Sequence, residues 1–150
     1  MSSDAPSDWP RENERSAAPP AASSLPPTAA AARAHVRCVL RHRTDRGEGA
    51  VTERTLTDIL LVVSELFTNA LRHGDGVTRF EVSAEADEMR VTVGDRSTDL
   101  PQQRNTTDSH TRPGGEGGFG WPLVRELATE ITLVLERGGG KRITVTLPLC

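Results

Sequence analysis

The chain has 150 residues, a formal net charge of −3 and 35% hydrophobic residues, with three Phe, two Trp and no Tyr. This suffices for one domain with an aliphatic core, and its interspersed acids and bases offer no basic patch with interleaved aromatics, which argues against nucleic acid as a partner. No apolar run approaches the roughly 20 residues that span a bilayer, and the N-terminus lacks a charged-then-apolar signal, so a cytoplasmic protein with no membrane partner is expected.

Residues 1–28 hold six of the prolines together with clustered Ala and Ser. Such a segment cannot bury enough apolar surface to offset its ordering entropy, and it is expected to be a disordered tail. The domain is expected over residues 29–150. In its first stretch Ala30, Ala31, Ala34, Val36, Val39 and Leu40 alternate with Arg33, Arg37, Arg41 and His42, the pattern of an amphipathic helix ending near Thr44. Its basic stripe is read as a wet helix face rather than a docking site. Cys38 and Cys150 have no metal-ligand spacing and are expected to be reduced thiols.

Residues 56–74, LTDILLVVSELFTNALRHG, carry the strongest helical period in the chain. Leu56, Ile59, Leu60, Val63, Leu66, Phe67, Ala70 and Leu71 form one apolar face, and Asp58, Glu65, Asn69, Arg72 and His73 gather opposite. Thr52 or Thr55 is placed to cap this helix, and Gly74 to stop it. Glu65 and Asn69 stand four apart, so a carboxylate and an amide oxygen lie one turn above the other. That stripe is either solvated surface or one wall of a nucleotide site.

Residues 78–84 and 89–93 alternate apolar and polar, with Asp87 in the link between them, and read as a hairpin with one buried face. The second strand runs into Gly94-Asp95-Arg96-Ser97, presenting an acid at a strand end. Asp95 is either a turn residue or, in an aliphatic pocket, an acceptor for an exocyclic amine. Residues 102–118 form a long polar loop with Gly114, Gly115, Gly117 and Gly118, followed by Phe119, Gly120, Trp121 and Pro122. Pro122 suits a first helical position. Glycines ahead of a helix N-terminus let backbone N–H groups approach an anion, though such clusters are more often plain loops. Two more alternating runs, residues 131–135 and 143–147, flank a Gly-rich turn. The order helix, helix, strand, strand, loop, helix, strand, strand implies α+β: a two-layer sandwich of helices on one face of a mostly antiparallel sheet.

Taken in order, SELFTNALRHG, VTVGDRSTDLP and GGFGWPLVRELA resemble the three nucleotide-binding boxes of the Bergerat-fold ATPases and kinases. Within that superfamily the chain is similar to the small stand-alone bacterial anti-sigma-factor serine kinases. The resemblance implies an ATP- and Mg²⁺-binding domain with Asn69 as the cation ligand and Glu65 as the general base. It further implies Asp95 as acceptor of the adenine amine, and a phosphate-covering lid with Gly115, Gly117, Gly118, Phe119 and Gly120. The implied partners are a sigma factor and an anti-anti-sigma (STAS-type) protein phosphorylated on serine, and a homodimer is compatible with it. Three positions depart from the family pattern. Ser97 stands where the second box has glycine, Lys141 or Arg142 stands where the last strand often has threonine, and Trp121-Pro122 replaces an aliphatic pair. They leave open a second reading, a non-catalytic or nucleotide-free interaction module of the same fold.

Overall fold

The computed structural model describes residues 25–101 and 120–150. Helix α1 (Ala29–Asp45) starts where the Thr28 hydroxyl accepts the Ala31 N–H at 3.1 Å, satisfying one of the amides that a first turn leaves unpaired. Its buried side is Ala32, Val36, Leu40 and Arg43. Ala30 and Ala34, expected on the apolar face, point to solvent, and Ala32 takes their place. Helix α2 (Glu53–His73) is capped by Thr52, whose hydroxyl accepts the Thr55 N–H at 3.1 Å.

The apolar face of α2 is Ile59, Leu60, Val62, Val63, Leu66, Phe67 and Ala70, all buried. Leu71 does not belong to it. One residue further turns the helix by about 100°, which carries Leu71 off the face that Ala70 centres and leaves it 48% exposed. Val62 fills the arc instead. The largest wholly buried side chain is Phe67. It meets Phe80 edge-on at 5.8 Å, and His35 of α1 meets the other side of Phe80 at 5.9 Å. One ring from each of three elements thus joins the helical layer to the sheet.

The sheet has four strands, β1 (Val77–Glu85), β2 (Glu88–Asp95), β3 (Glu130–Leu135) and β4 (Lys141–Pro148). Their order is β1-β2-β4-β3, and every neighbouring pair is antiparallel. This is an α+β fold with the helices on one face. Central strands β2 and β4 face the helices with Met89, Val91 and Val93 paired across to Leu147, Val145 and Ile143. The same register sets Asp95 directly opposite Lys141, so an apolar stripe ends in a polar pair. On the other face Thr92 and Thr144 bond through their hydroxyls at 3.0 Å.

Helix α3 (Gly120–Leu127) packs against α2, with Val124 in the core. Pro122 is its third residue rather than its first, which the geometry tolerates because first-turn N–H groups lack intrahelical acceptors. Among the described residues no helix is long and apolar enough to cross a membrane.

Arg43 was invisible to periodicity. Its side chain is 7% exposed, and it donates to the Gly49 carbonyl at 2.7 Å and the Ala86 carbonyl at 2.8 Å. The guanidinium therefore ties the end of α1 to the α1–α2 connection and to the β1–β2 turn, where Ala86 holds φ of 50°. Replacing Arg43 by Met keeps the stem and removes both bonds. Chemical denaturation should show a loss of about 2 kcal/mol, with a Lys replacement recovering only part of it because a single ammonium cannot span both carbonyls.

Candidate functional site

Of the described candidate residues, Glu65 and Asn69 lie on α2, Gly120 meets Glu65, and Asp95 packs on Gly74 at the end of that helix. Glu65 and Asn69 are half-buried, one helical turn apart. Gly74, the residue after the helix, lies about 13 Å beyond Glu65 at the helical rise. Gly115, Gly117, Gly118 and Phe119 lie outside the described residues.

At the Glu65 end, Gly120 opens α3 and is buried. A Cβ on Gly120 would overlap the Glu65 carboxylate. The contact exists because position 120 carries no side chain, and it sets a carboxylate beside a helix N-terminus, where the dipole favours an anion. Two residues from separate parts of the sequence signature, Glu65 and Gly120, are thereby in contact. Asn69 stands along α2 between Glu65 and Gly74.

The second cluster is centred on Asp95, 7% exposed at the end of β2. One carboxylate oxygen, Oδ1, accepts the Ser97 N–H at 2.9 Å and the Lys141 ammonium at 3.0 Å. The first is the turn role that an Asp at a strand end was expected to have, and Ser97 extends the turn by accepting the Asp99 N–H on its own hydroxyl at 3.0 Å. The second is an ion pair whose two side chains are each 6% exposed. Lys141 also reaches the Ser97 carbonyl at 3.4 Å. The other oxygen, Oδ2, accepts no hydrogen bond among the described residues and lies against Gly74.

Two glycines make this packing feasible. A Cβ on Gly74 would overlap the Asp95 side chain from its Cβ outward. Gly74 has φ of −100°, so close approach rather than a left-handed turn demands glycine there, a different reason from the helix-stop role read in the sequence. Gly140 has φ of 92°, and its Cβ would strike the Asp95 carbonyl oxygen. The Arg96 N–H donates to the Gly74 carbonyl at 2.8 Å, pinning the end of α2 to the strand end. Sequence reasoning missed Gly74 and Gly140 as partners of Asp95 and gave Lys141 no contact with it. The signal for Lys141 was present, as a cation one residue after a Gly-rich turn and opposite a strand-end acid once the strands are paired.

A concavity lies at the opposite end of β2, lined by Arg43, Arg46, Glu48, Ala86 and Asp87. Its charges are engaged with one another: Arg46 bonds Glu48 at 3.0 Å, and Arg43 lies 3.9 Å from Asp87. None of the sequence-predicted site residues borders it.

A family profile described as histidine kinase-like ATPase domain matches residues 22–147. None of the curated proteins matches the chain. Among solved structures it is similar to a blue-light activated histidine kinase of Erythrobacter litoralis, at 29% identity and a TM-score of 0.46, covering 66% of this chain and 32% of that one. It is also similar to the catalytic domain of the histidine kinase ThkA, at 17% identity and a TM-score of 0.44, covering 63% of this chain and 67% of that one. The histidine kinase domain of the E. coli osmosensor EnvZ aligns at 19% identity and a TM-score of 0.39, covering 63% of this chain and 66% of that one. The chain spans about a third of the length of the first of these.

The two clusters predict opposite tolerance to one methyl group. Gly120→Ala meets only the tip of a flexible side chain, and Ala gains helix propensity of up to about 1 kcal/mol over Gly. Thermal unfolding should therefore show unchanged or slightly higher stability, with the Glu65 carboxylate displaced. Gly74→Ala meets the anchored Cβ of Asp95 and should cost about 2 kcal/mol. Equal melting temperatures for the two variants would contradict this reading.

Proposed function

The chain belongs to the histidine kinase-like ATPase family, whose domains bind ATP with Mg²⁺, and on that premise we propose that it is an ATP- and Mg²⁺-binding regulatory protein of the anti-sigma serine-kinase type. In this reading it holds a sigma factor and phosphorylates a serine of a STAS-type anti-anti-sigma partner. The observation that carries the reading is the layout along α2. A half-buried carboxylate and amide lie one turn apart at one end, and a buried acid with an uncommitted oxygen lies at the other. Phosphoryl transfer asks for little covalent chemistry from the protein. It needs a cation on the phosphates, an acceptor for one proton and fixed positions for both reactants.

The donor set fits such a ligand. The Asn69 amide oxygen suits a hard cation that keeps few protein ligands and draws the rest from phosphates and water. Among the described residues no three His, Cys, Asp or Glu side chains converge on a cation site, so Asn69 and the phosphates would share Mg²⁺ between them. Glu65 would take the proton of the attacking hydroxyl. The free Oδ2 of Asp95 would accept an exocyclic amine, while Oδ1 is held by Ser97 and Lys141.

A second reading, a non-catalytic module of the same fold, is favoured by one contact. Gly120 packs directly on the Glu65 carboxylate, so α3 contacts the proposed base in this arrangement.

Isothermal titration with ATP and Mg²⁺ separates these readings. Asn69→Ala should abolish Mg²⁺-dependent binding, and Glu65→Gln should bind ATP within about threefold of the parent. Serine phosphorylation of an anti-anti-sigma partner should fall by 10²-fold or more in Glu65→Gln, the scale of a lost general base. Binding without transfer in the parent protein selects the non-catalytic reading, and no ATP binding at all sinks both nucleotide-dependent forms.

A further inference from the structure

The base end of the site contains a cation that the proposed function does not use. Lys141 is 5% exposed, faces Asp95 across the β2–β4 ladder, and is held there by the strand register rather than by chance rotamers. An ammonium carries three donors. One goes to Asp95 Oδ1 at 3.0 Å and a second to the Ser97 carbonyl at 3.4 Å, which leaves one without an acceptor among the described residues. Asp95 likewise has one oxygen committed and one that accepts no hydrogen bond among the described residues. The pair therefore keeps one donor and one acceptor uncommitted among the described residues at a nearly dry strand end.

We propose that Lys141 is a second base-reading residue of this site, donating to the ring nitrogen N1 of adenine while the free oxygen of Asp95 accepts from the neighbouring amine. The inference rests on the ATP reading above and adds to it the residue that reads the second atom of the base edge. Hydrogen-bond inventory favours adenine over guanine here. Adenine offers an amine donor beside a ring acceptor, which one free oxygen and one free N–H satisfy completely. Guanine can offer the same kind of pair through N1–H and O6, but its N2 amine is then a further donor left unpaired in a buried site. A charged donor in a nearly dry site also makes a stronger bond than a neutral one would.

Lys141 has a plainer alternative role, as a counter-ion that only neutralises Asp95. The alternatives differ in what happens when the ligand atom, rather than the protein, is changed. Titration of the unmodified protein with Mg²⁺ and either ATP or 1-deaza-ATP, which replaces N1 by C–H, needs no variant to fold. The expected result is binding of 1-deaza-ATP at least tenfold weaker than ATP. In Lys141→Met, whose folding is checked by circular dichroism, the two ligands should bind within twofold of each other, both near the 1-deaza value for the parent. If the parent binds both ligands equally, or if Lys141→Met binds ATP as tightly as the parent or more tightly, Lys141 is a counter-ion or a competitor and the inference is overturned. Failure of the parent to bind ATP overturns the ATP reading itself, and the inference with it.

Discussion

The ion pair between Asp95 and Lys141 is the constraint on which the arrangement of this molecule turns. Neither group could be buried alone, since an unpaired charge in the interior costs several kcal/mol. Each is 6% exposed at the side chain, and each stands where the β2–β4 register puts it, two pairs along the ladder from Val93 and Ile143 and so on the same face. A slip of one strand by one residue along the ladder would put the two on opposite faces and break the apolar stripe at the same time. The pair therefore ties the choice of register to the presence of the site. The Ser97 N–H on the same carboxylate oxygen and the Arg96 N–H on the Gly74 carbonyl then fix where the chain goes after the strand and where α2 ends.

Close approach is the second half of that constraint. Asp95 is approached by Gly74 along its side chain and by Gly140 at its carbonyl oxygen, and neither position has room for a Cβ. At the far end of β2 the same device recurs in another form. Arg43, buried with α1, satisfies the Ala86 carbonyl of the β1–β2 turn and the Gly49 carbonyl of the helix connection. Its Nε, within 3.7 Å of Glu48, makes no hydrogen bond. The central sheet is thus apolar along its length and held at both ends by a buried cation. One of these cations is committed to backbone carbonyls, and the other to a carboxylate whose second oxygen accepts no hydrogen bond among the described residues.

The elements of the fold were legible because each rests on local signals. The period of residues 56–74, Thr52 as a cap and the alternation on either side of Asp87 are all properties of short windows, and they give α2, β1 and β2 with shifts of a few residues at their ends. Leu71 shows the limit of a window: it fits the three-and-four spacing and is nevertheless exposed, because the buried arc is set by what lies opposite. The site was legible in its residue types and their order. Its contacts were not, because Asp95 and Lys141 are 46 residues apart and meet only once β4 is inserted between β2 and β3. Departure from the family pattern at the start of the last strand was visible, but its meaning depended on the cross-strand partner. Arg43 had no signal at all, since a buried arginine is defined by carbonyls that sequence does not mark.

Glu65 and Asn69 pose a different problem, because they share one rigid helix and cannot be positioned independently. Glu65 stands one turn away from Asn69 in every state that preserves α2. On the proposed function, what separates holding a nucleotide from turning it over therefore lies in what touches Glu65 from outside the helix. The described contact from outside is Gly120, the first residue of α3. A carboxylate packed on a helix N-terminus is electrostatically comfortable, and drawing it toward a hydroxyl would mean giving up that contact. In the proposed reading ATP is held by α2 and the Asp95–Lys141 end, while transfer depends in addition on the contact between Glu65 and Gly120 at the start of α3, so the two properties can vary separately.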